Sequence, residues 1–301
     1  MTIGTAMWPP AQMQGQQTRN RRVVALTAAA TIEISPRADL AREQLPEFLA
    51  AGETVFVNYP GSATHHDIVA ACVNLRRAGF APVPHVAARR LASFTQLRDF
   101  LQRARGEAGV TRIFVIAGDL VPAAGPFRDS LDLLATGLIE ATGIGHVGFA
   151  GYPGGHPRIG RSSLASALRA KIAAARQRGL EVSLVTQFGF DAAAITRWIA
   201  SLREDGILCP VRVGLAGPAT IATLAKFAVR CGVGASLGAL GRGQSAFARI
   251  LTQATPDALL EALVALEGPD IPIEGLHLFT FGGVAHTLHW LQDRAPVDPL
   301  H

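Results

Sequence analysis

The chain has 301 residues, of which 49% are hydrophobic and only 17% charged, with a mean hydropathy of +0.26. That length suits one large barrel or two ordinary domains, and no run of eighteen uncharged apolar residues offers a membrane span. The formal charge of +5 comes from singly scattered basic residues and aromatics make up 6%, so no stacking platform for nucleic acid is present.

Residues 1–22 carry Trp8, two prolines, a Gln-rich patch and the basic cluster Arg19, Arg21 and Arg22, without the apolar core of a signal peptide. They are expected to be a disordered basic leader, with residues 23–301 forming one catalytic domain. Cys72, Cys209 and Cys231 show no CxxC spacing and are odd in number. A reduced cytoplasmic protein without disulfides or a zinc cluster is the expectation.

Short β-like runs then alternate with amphipathic stretches. Strands are predicted at residues 31–35, 54–59, 82–87 and 112–117, with helices over 37–50, 67–78, 95–105 and 127–141. The second half repeats the pattern, with strands at 146–152, 181–187, 211–216 and 277–281. Its helices fall at 163–178, 192–204, 219–231 and 285–292. A Gly-rich stretch over 232–243 and a helix over 256–266 form an insert before the last strand. Eight strand–helix units point to an α/β fold, a single (β/α)₈ TIM barrel with extra helices between strands 7 and 8. An open doubly wound sheet would show an early GxGxxG; GALGRG at 238–243 has the wrong spacing and follows no strand.

Such barrels place their sites at the C-terminal ends of the strands. There the chain offers Glu33, Asn58-Tyr59, His85, Gly118-Asp119, Tyr152 with His156, Gln187, and the aromatics Phe279 and Phe281. Each has a plain structural role open to it. Glu33 can be a paired interior carboxylate, Asp119 a cap, Gln187 a satisfied core amide and His85 a packed histidine. His65-His66-Asp67 reads as a helix start rather than a ligand group, so no metal is expected. No Gly-x-Ser-x-Gly elbow is present.

Taken together, several segments resemble one family. TIEISPR (31–37), VIAGDL (115–120), GFAGYPGGHP (148–157) and LVTQFGFD (184–191) are similar, in order and on the expected strands, to motifs of methylenetetrahydrofolate reductases. AKFAVRCG (225–232) and LHLFT (276–280) resemble later segments of the same family. The resemblance implies a non-covalent FAD at the C-terminal mouth, NADH or NADPH as electron donor, a reduced folate as substrate and room for a homo-oligomer. It places flavin contacts at Tyr59, His85, Ala117, Gly118, Asp119, Ala150, Tyr152 and His156. Glu33, Asp119 and Gln187 are implied to handle the folate, Glu33 and Asp119 as catalytic residues, while Phe188, Phe190 and Phe281 offer a stacking face for pterin or nicotinamide.

The implied reaction reduces 5,10-methylenetetrahydrofolate to 5-methyltetrahydrofolate. Opening the folate's five-membered ring needs a proton at the departing nitrogen, and an apolar strand is expected to raise the pKa of Glu33 toward that task. The chain departs from the family pattern at several points, the Gly232–Arg242 stretch among them. Ala117 stands where an arginine is common, Gly154 where an acid is, and Pro60 where a glycine is. The lysine expected after strand five has only Lys171 or Arg176 as counterparts. A flavin-free relative passing hydride directly from NADH, and a non-redox folate-binding or methyl-transfer barrel, are the alternatives.

Overall fold

The computed structural model describes residues 11–40, 43, 45–233, 255–268 and 271–294. Eight parallel strands close into a barrel in sequence order: β1 (Thr31–Ile34), β2 (Thr54–Val57), β3 (Ala81–Ala87), β4 (Arg112–Ile116), β5 (His146–Gly151), β6 (Glu181–Thr186), β7 (Val211–Ala216) and β8 (Gly275–Phe279). The seam pairs Thr31 with His277 and Glu33 with Phe279. Strands of this kind are covered on both faces, which is why they read as nearly unbroken apolar runs.

The outer ring consists of α2 (Leu45–Phe48), α3 (His65–Arg77), α4 (Phe94–Ala108), α5 (Ser130–Ala135), α6 (Leu138–Ala141), α7 (Arg161–Gln177), α8 (Ala192–Glu204) and α9 (Ile221–Cys231). α10 (Asp257–Leu266) lies between α9 and β8, and α11 (Val284–Gln292) follows β8. Local chemistry sets several starts. Thr64 and Asp67 form a reciprocal capping box on α3, Ser93 caps α4, and Asp191 caps α8. Most of the Gly-rich 232–243 stretch lies outside the described residues.

Three stretches differ from expectation. The helix predicted over 37–50 shrinks to the single turn Leu45–Phe48. Pro46 lacks the N–H an interior position must donate and can stand only in a first turn. The helix predicted over 127–141 splits into α5 and α6, because Gly137 between them adopts a left-handed conformation at φ 68°. Within the expected leader, residues from 11 onward form α1 (Ala11–Ala28). Arg22 on α1 pairs with Glu267 at 2.5 Å and donates to the Ile273 carbonyl at 2.7 Å. No helix among the described residues is long and apolar enough to cross a membrane.

The barrel interior is layered. Phe56, Val83, Phe114 and Val185 form a buried apolar layer across its middle. Below it, at the N-terminal end, a polar cavity of about 250 Å³ is lined by residues including Thr31, Arg112, His146, Ser183 and Arg212. Above it stand the groups of the candidate site.

Candidate active site

Glu33 points inward from β1, only 12% exposed. Its carboxylate meets side chains from three other strands or strand ends. Asn58, just past β2, donates its amide to Oε1 at 3.1 Å. His85 on β3 brings Nε2 to 3.2 Å from Oε2, but out of line for a hydrogen bond, so the contact is electrostatic. His277 on β8 brings its Nε2 to 3.7 Å from the same oxygen. On its far side, Nδ1 of His277 lies 2.9 Å from the Thr31 hydroxyl, which also reaches the Leu276 carbonyl at 3.3 Å. Phe56 closes against both histidines, with ring centroids 4.6 Å from His277 and 6.3 Å from His85.

This environment corrects the expected electrostatics of Glu33. Burial alone would push the carboxyl up, as an apolar strand implies, but the His85 and His277 rings outweigh it and hold the group well below the usual carboxylate range. Burial in turn lowers His277 from the ordinary histidine value, against the opposing pull of Glu33. The resting pair is therefore an anionic carboxylate facing a neutral imidazole. Asn58 Oδ1, buried beside it, has no donor among the described residues.

The other candidates form three further groups. Asp119 follows Gly118, whose φ of 84° needs a glycine, and its carboxylate receives Arg90 at 2.6 Å. Burial would raise Asp119, yet Arg90 holds it below its ordinary value. Arg90 also spans the Tyr59 ring, 5.9 Å from its centroid. Tyr152 and His156 meet edge to face at 5.5 Å beyond β5. Past β6, the Gln187 side-chain oxygen accepts from the Phe188 N–H at 3.2 Å. Phe188 is buried and packs against Phe190, Phe279 and Phe281, while Phe281 stacks flat on Phe227 at 4.0 Å. One face of Phe281 is thus already occupied.

A cavity of about 490 Å³ opens between the C-terminal ends of β4 and β5 and helices α7 and α8. It takes in Ala117, Ala150 and Tyr152 of the expected flavin contacts and does not reach Glu33. Its walls carry Arg89, Arg161 and Lys171, none ion-paired to a carboxylate among the described residues, besides Arg169, which is bound to Asp205 at 2.6 Å. Lys171 lies over the Phe149 ring at 5.4 Å, and burial lowers its pKa. Of the two candidates for the family lysine, Lys171 lines this cavity, whereas Arg176 reaches Cys209 at 3.4 Å. Two carboxylates share this lining, Asp129, which acts electrostatically on Lys171, and Asp205, but the cations outnumber them, a balance that fits the pyrophosphate of a dinucleotide.

His277 and Arg90 were not singled out from sequence. His277 shares an inward face with Phe279, but only the β1–β8 register brings it to Glu33. His65, His66 and Asp99 also converge, a cluster that spacing does not reveal. His65 is engaged there by Asp99 at 3.2 Å and Gln96 at 3.0 Å, and His66 by the Arg103 guanidinium at 2.5 Å.

Comparison with known proteins gives one family match. The model described as Methylenetetrahydrofolate reductase matches residues 34–235, about two thirds of the chain, beginning one residue after Glu33. Among solved structures, dihydropteroate synthase (FolP) from Thermus thermophilus is 14% identical with a TM-score of 0.47, covering 88% of this chain and 91% of that one. Tryptophan synthase from M. tuberculosis is 19% identical with a TM-score of 0.40, covering 82% and 98%. Neither structural likeness is strong enough to bear on function, and the barrel rests on its own strand order.

Proposed function

The chain belongs to the methylenetetrahydrofolate reductase family, and from that premise we propose that it reduces 5,10-methylenetetrahydrofolate to 5-methyltetrahydrofolate with NADH or NADPH through bound FAD. The observation that carries this reading is the nearly buried Glu33 carboxylate at the C-terminal mouth, contacted by Asn58, His85 and His277. The mouth is where barrel enzymes do their chemistry, and an acid gathered there by side chains from several strands is placed for proton transfer.

Tyr59, His85, Ala117, Gly118, Asp119, Ala150, Tyr152 and His156 surround the flavin in this reading, and Lys171, with Arg89 and Arg161, meets its pyrophosphate. Lys171 takes over the charge that Ala117 lacks. Bound there, FAD would supply hydride transfer from the reduced nicotinamide to the one-carbon unit. Glu33 gives a proton to the departing folate nitrogen as its bond to the methylene carbon breaks. Asp119 and Gln187 pair with the amino-pyrimidinone edge of the pterin, a carboxylate and an amide matching its donors and acceptors. Phe190 and Phe281 pack on the folate rings in this reading.

The test is oxidation of NADH or NADPH that depends on methylenetetrahydrofolate, in FAD-supplemented protein. Glu33→Gln is expected to abolish folate reduction while nicotinamide still reduces the flavin. Absence of folate-dependent oxidation in the unaltered protein with either nicotinamide would overturn the reading. Loss of both half-reactions in Glu33→Gln would make Glu33 structural.

A further inference from the structure

An acid whose carboxyl rests as an anion has to be converted to a donor before it can act. Around Glu33, the groups that bear on this conversion lie on its far side from the mouth. The Thr31 hydroxyl has two acceptors within reach, His277 Nδ1 at 2.9 Å and the Leu276 carbonyl at 3.3 Å, and it has a single proton to give. His277 is 1% exposed and clamped by Phe56 and Phe279 at 4.6 and 5.0 Å, so its ring holds one orientation. Its two nitrogens therefore have fixed and different partners, Thr31 on one side and Glu33 on the other.

We propose that Thr31 and His277 are positioning residues that select whether Glu33 accepts or donates a proton. The proposal rests on the role assigned to Glu33 above. In the resting arrangement the Thr31 O–H donates to Nδ1, the ring carries its proton on Nε2, and that N–H faces the Glu33 carboxylate. In the loaded arrangement the Thr31 O–H turns to the Leu276 carbonyl and its oxygen accepts from Nδ1–H. Nε2 is then bare and faces the protonated Glu33 carboxyl, which holds its proton until the folate nitrogen takes it. The loaded arrangement thus holds one proton more than the resting one: the Nε2–H bond breaks as its proton passes to Glu33, and an N–H bond forms at Nδ1 with a proton taken from solvent.

The Thr31 hydroxyl is what makes the second arrangement tolerable, because a buried N–H at Nδ1 needs an acceptor. The apolar layer of Phe56, Val83, Phe114 and Val185 separates this pair from the polar cavity below, apart from Thr31 itself, which borders both. Other charged or titratable groups bearing on the pair are His85 on β3, Arg212 on β7 and Cys231 at the end of α9. None of these contacts Nδ1.

The experiment compares Thr31→Val, which keeps the shape and removes the hydroxyl, with Thr31→Ser, which keeps the hydroxyl. Two measurements are made on FAD-supplemented protein. In the first, Thr31→Val moves the acid-dependent limb of kcat for folate reduction down by about one pH unit, about a tenfold loss near neutrality, as expected for removing one buried hydrogen bond. The KM for folate is unchanged, and Thr31→Ser retains the original limb. A loss of activity with an unmoved pH limb means that Thr31 only packs and overturns the proposal.

The second measurement, ¹⁵N NMR of the His277 ring, does not depend on turnover. Resting protein shows the proton on Nε2 with Nδ1 as a hydrogen-bonded acceptor, and Thr31→Val shifts Nδ1 toward a free acceptor. A resting proton on Nδ1 overturns the arrangement even if folate reduction is observed. An unaltered protein that shows the expected ring nitrogens but no folate turnover separates failure of the functional reading from failure of this one.

Discussion

Lys171→Met separates a cation kept for a ligand from one kept for the fold. The ammonium is largely buried over Phe149, and Asp129 acts on it electrostatically without forming an ion pair. Methionine preserves the length and apolar contacts of the stem while removing the charge. In the apoprotein the loss of a weak cation–π contact, about 0.5–1 kcal/mol, is offset by relief of a desolvated charge. Its Tm is therefore expected to stay within about 2 °C of the unaltered protein or to rise. With FAD the sign reverses. A charge-assisted hydrogen bond to phosphate contributes about 1.5–3 kcal/mol, so FAD affinity should fall roughly 10- to 150-fold. The stabilisation that saturating FAD confers should shrink accordingly. Fluorescence titration with FAD and thermal melts with and without it measure both signs. Unchanged FAD affinity, or a clear drop in apoprotein Tm, would refute the assignment of this cavity to the cofactor.

Three further outcomes are expected. Asp119→Asn weakens folate turnover at retained FAD binding, because the Arg90 partner stays while the charge goes; unchanged folate kinetics would remove Asp119 from the site. His277 is held neutral by burial, so below about pH 6.5 the unfolded chain binds a proton that the folded chain refuses, and stability falls as pH drops. The depressed Glu33 carboxyl adds stability that is present above the ordinary carboxylate range and lost as pH falls through its folded value. Melts from pH 8 to 5 should show a steeper decline in the unaltered protein than in His277→Gln, and parallel curves would contradict a neutral buried His277. Gly214→Ala should destabilise by about 3 kcal/mol, since its Cβ would lie 2.1 Å from the Thr186 carbonyl and 2.8 Å from the Phe279 ring; an unchanged Tm would mean that β6 and β7 are not packed as described.

The strands were legible because each is a short apolar run bounded by turn residues, and β7 and α8 fall on their predicted limits. Where local chemistry decides, the signal was present in the residues. Pro46 argues against a long helix after β1, and Gly137 marks the break between α5 and α6. Residues 11–22 carry no apolar stripe, and part of what ties α1 to the barrel is the Arg22–Glu267 contact across most of the chain. Composition cannot show such a pairing. Glu33 stood out as an acid in an apolar strand, but its charge state depends on His85 and His277, which reach it through closure of the barrel. The cavity beside β4 and β5 was equally out of reach, since only the fold brings Lys171 together with Arg89 and Arg161.

The central claim, a flavin-dependent folate reductase, is tested most directly by the visible absorption spectrum of freshly purified protein, taken before and after anaerobic NADH or NADPH and again after methylenetetrahydrofolate. A flavin band that bleaches with nicotinamide and returns with the folate is the predicted result. A colourless protein that takes up no added FAD would contradict it. Folate-dependent NADH consumption would then indicate direct hydride transfer, and its absence a barrel that binds folate without reducing it.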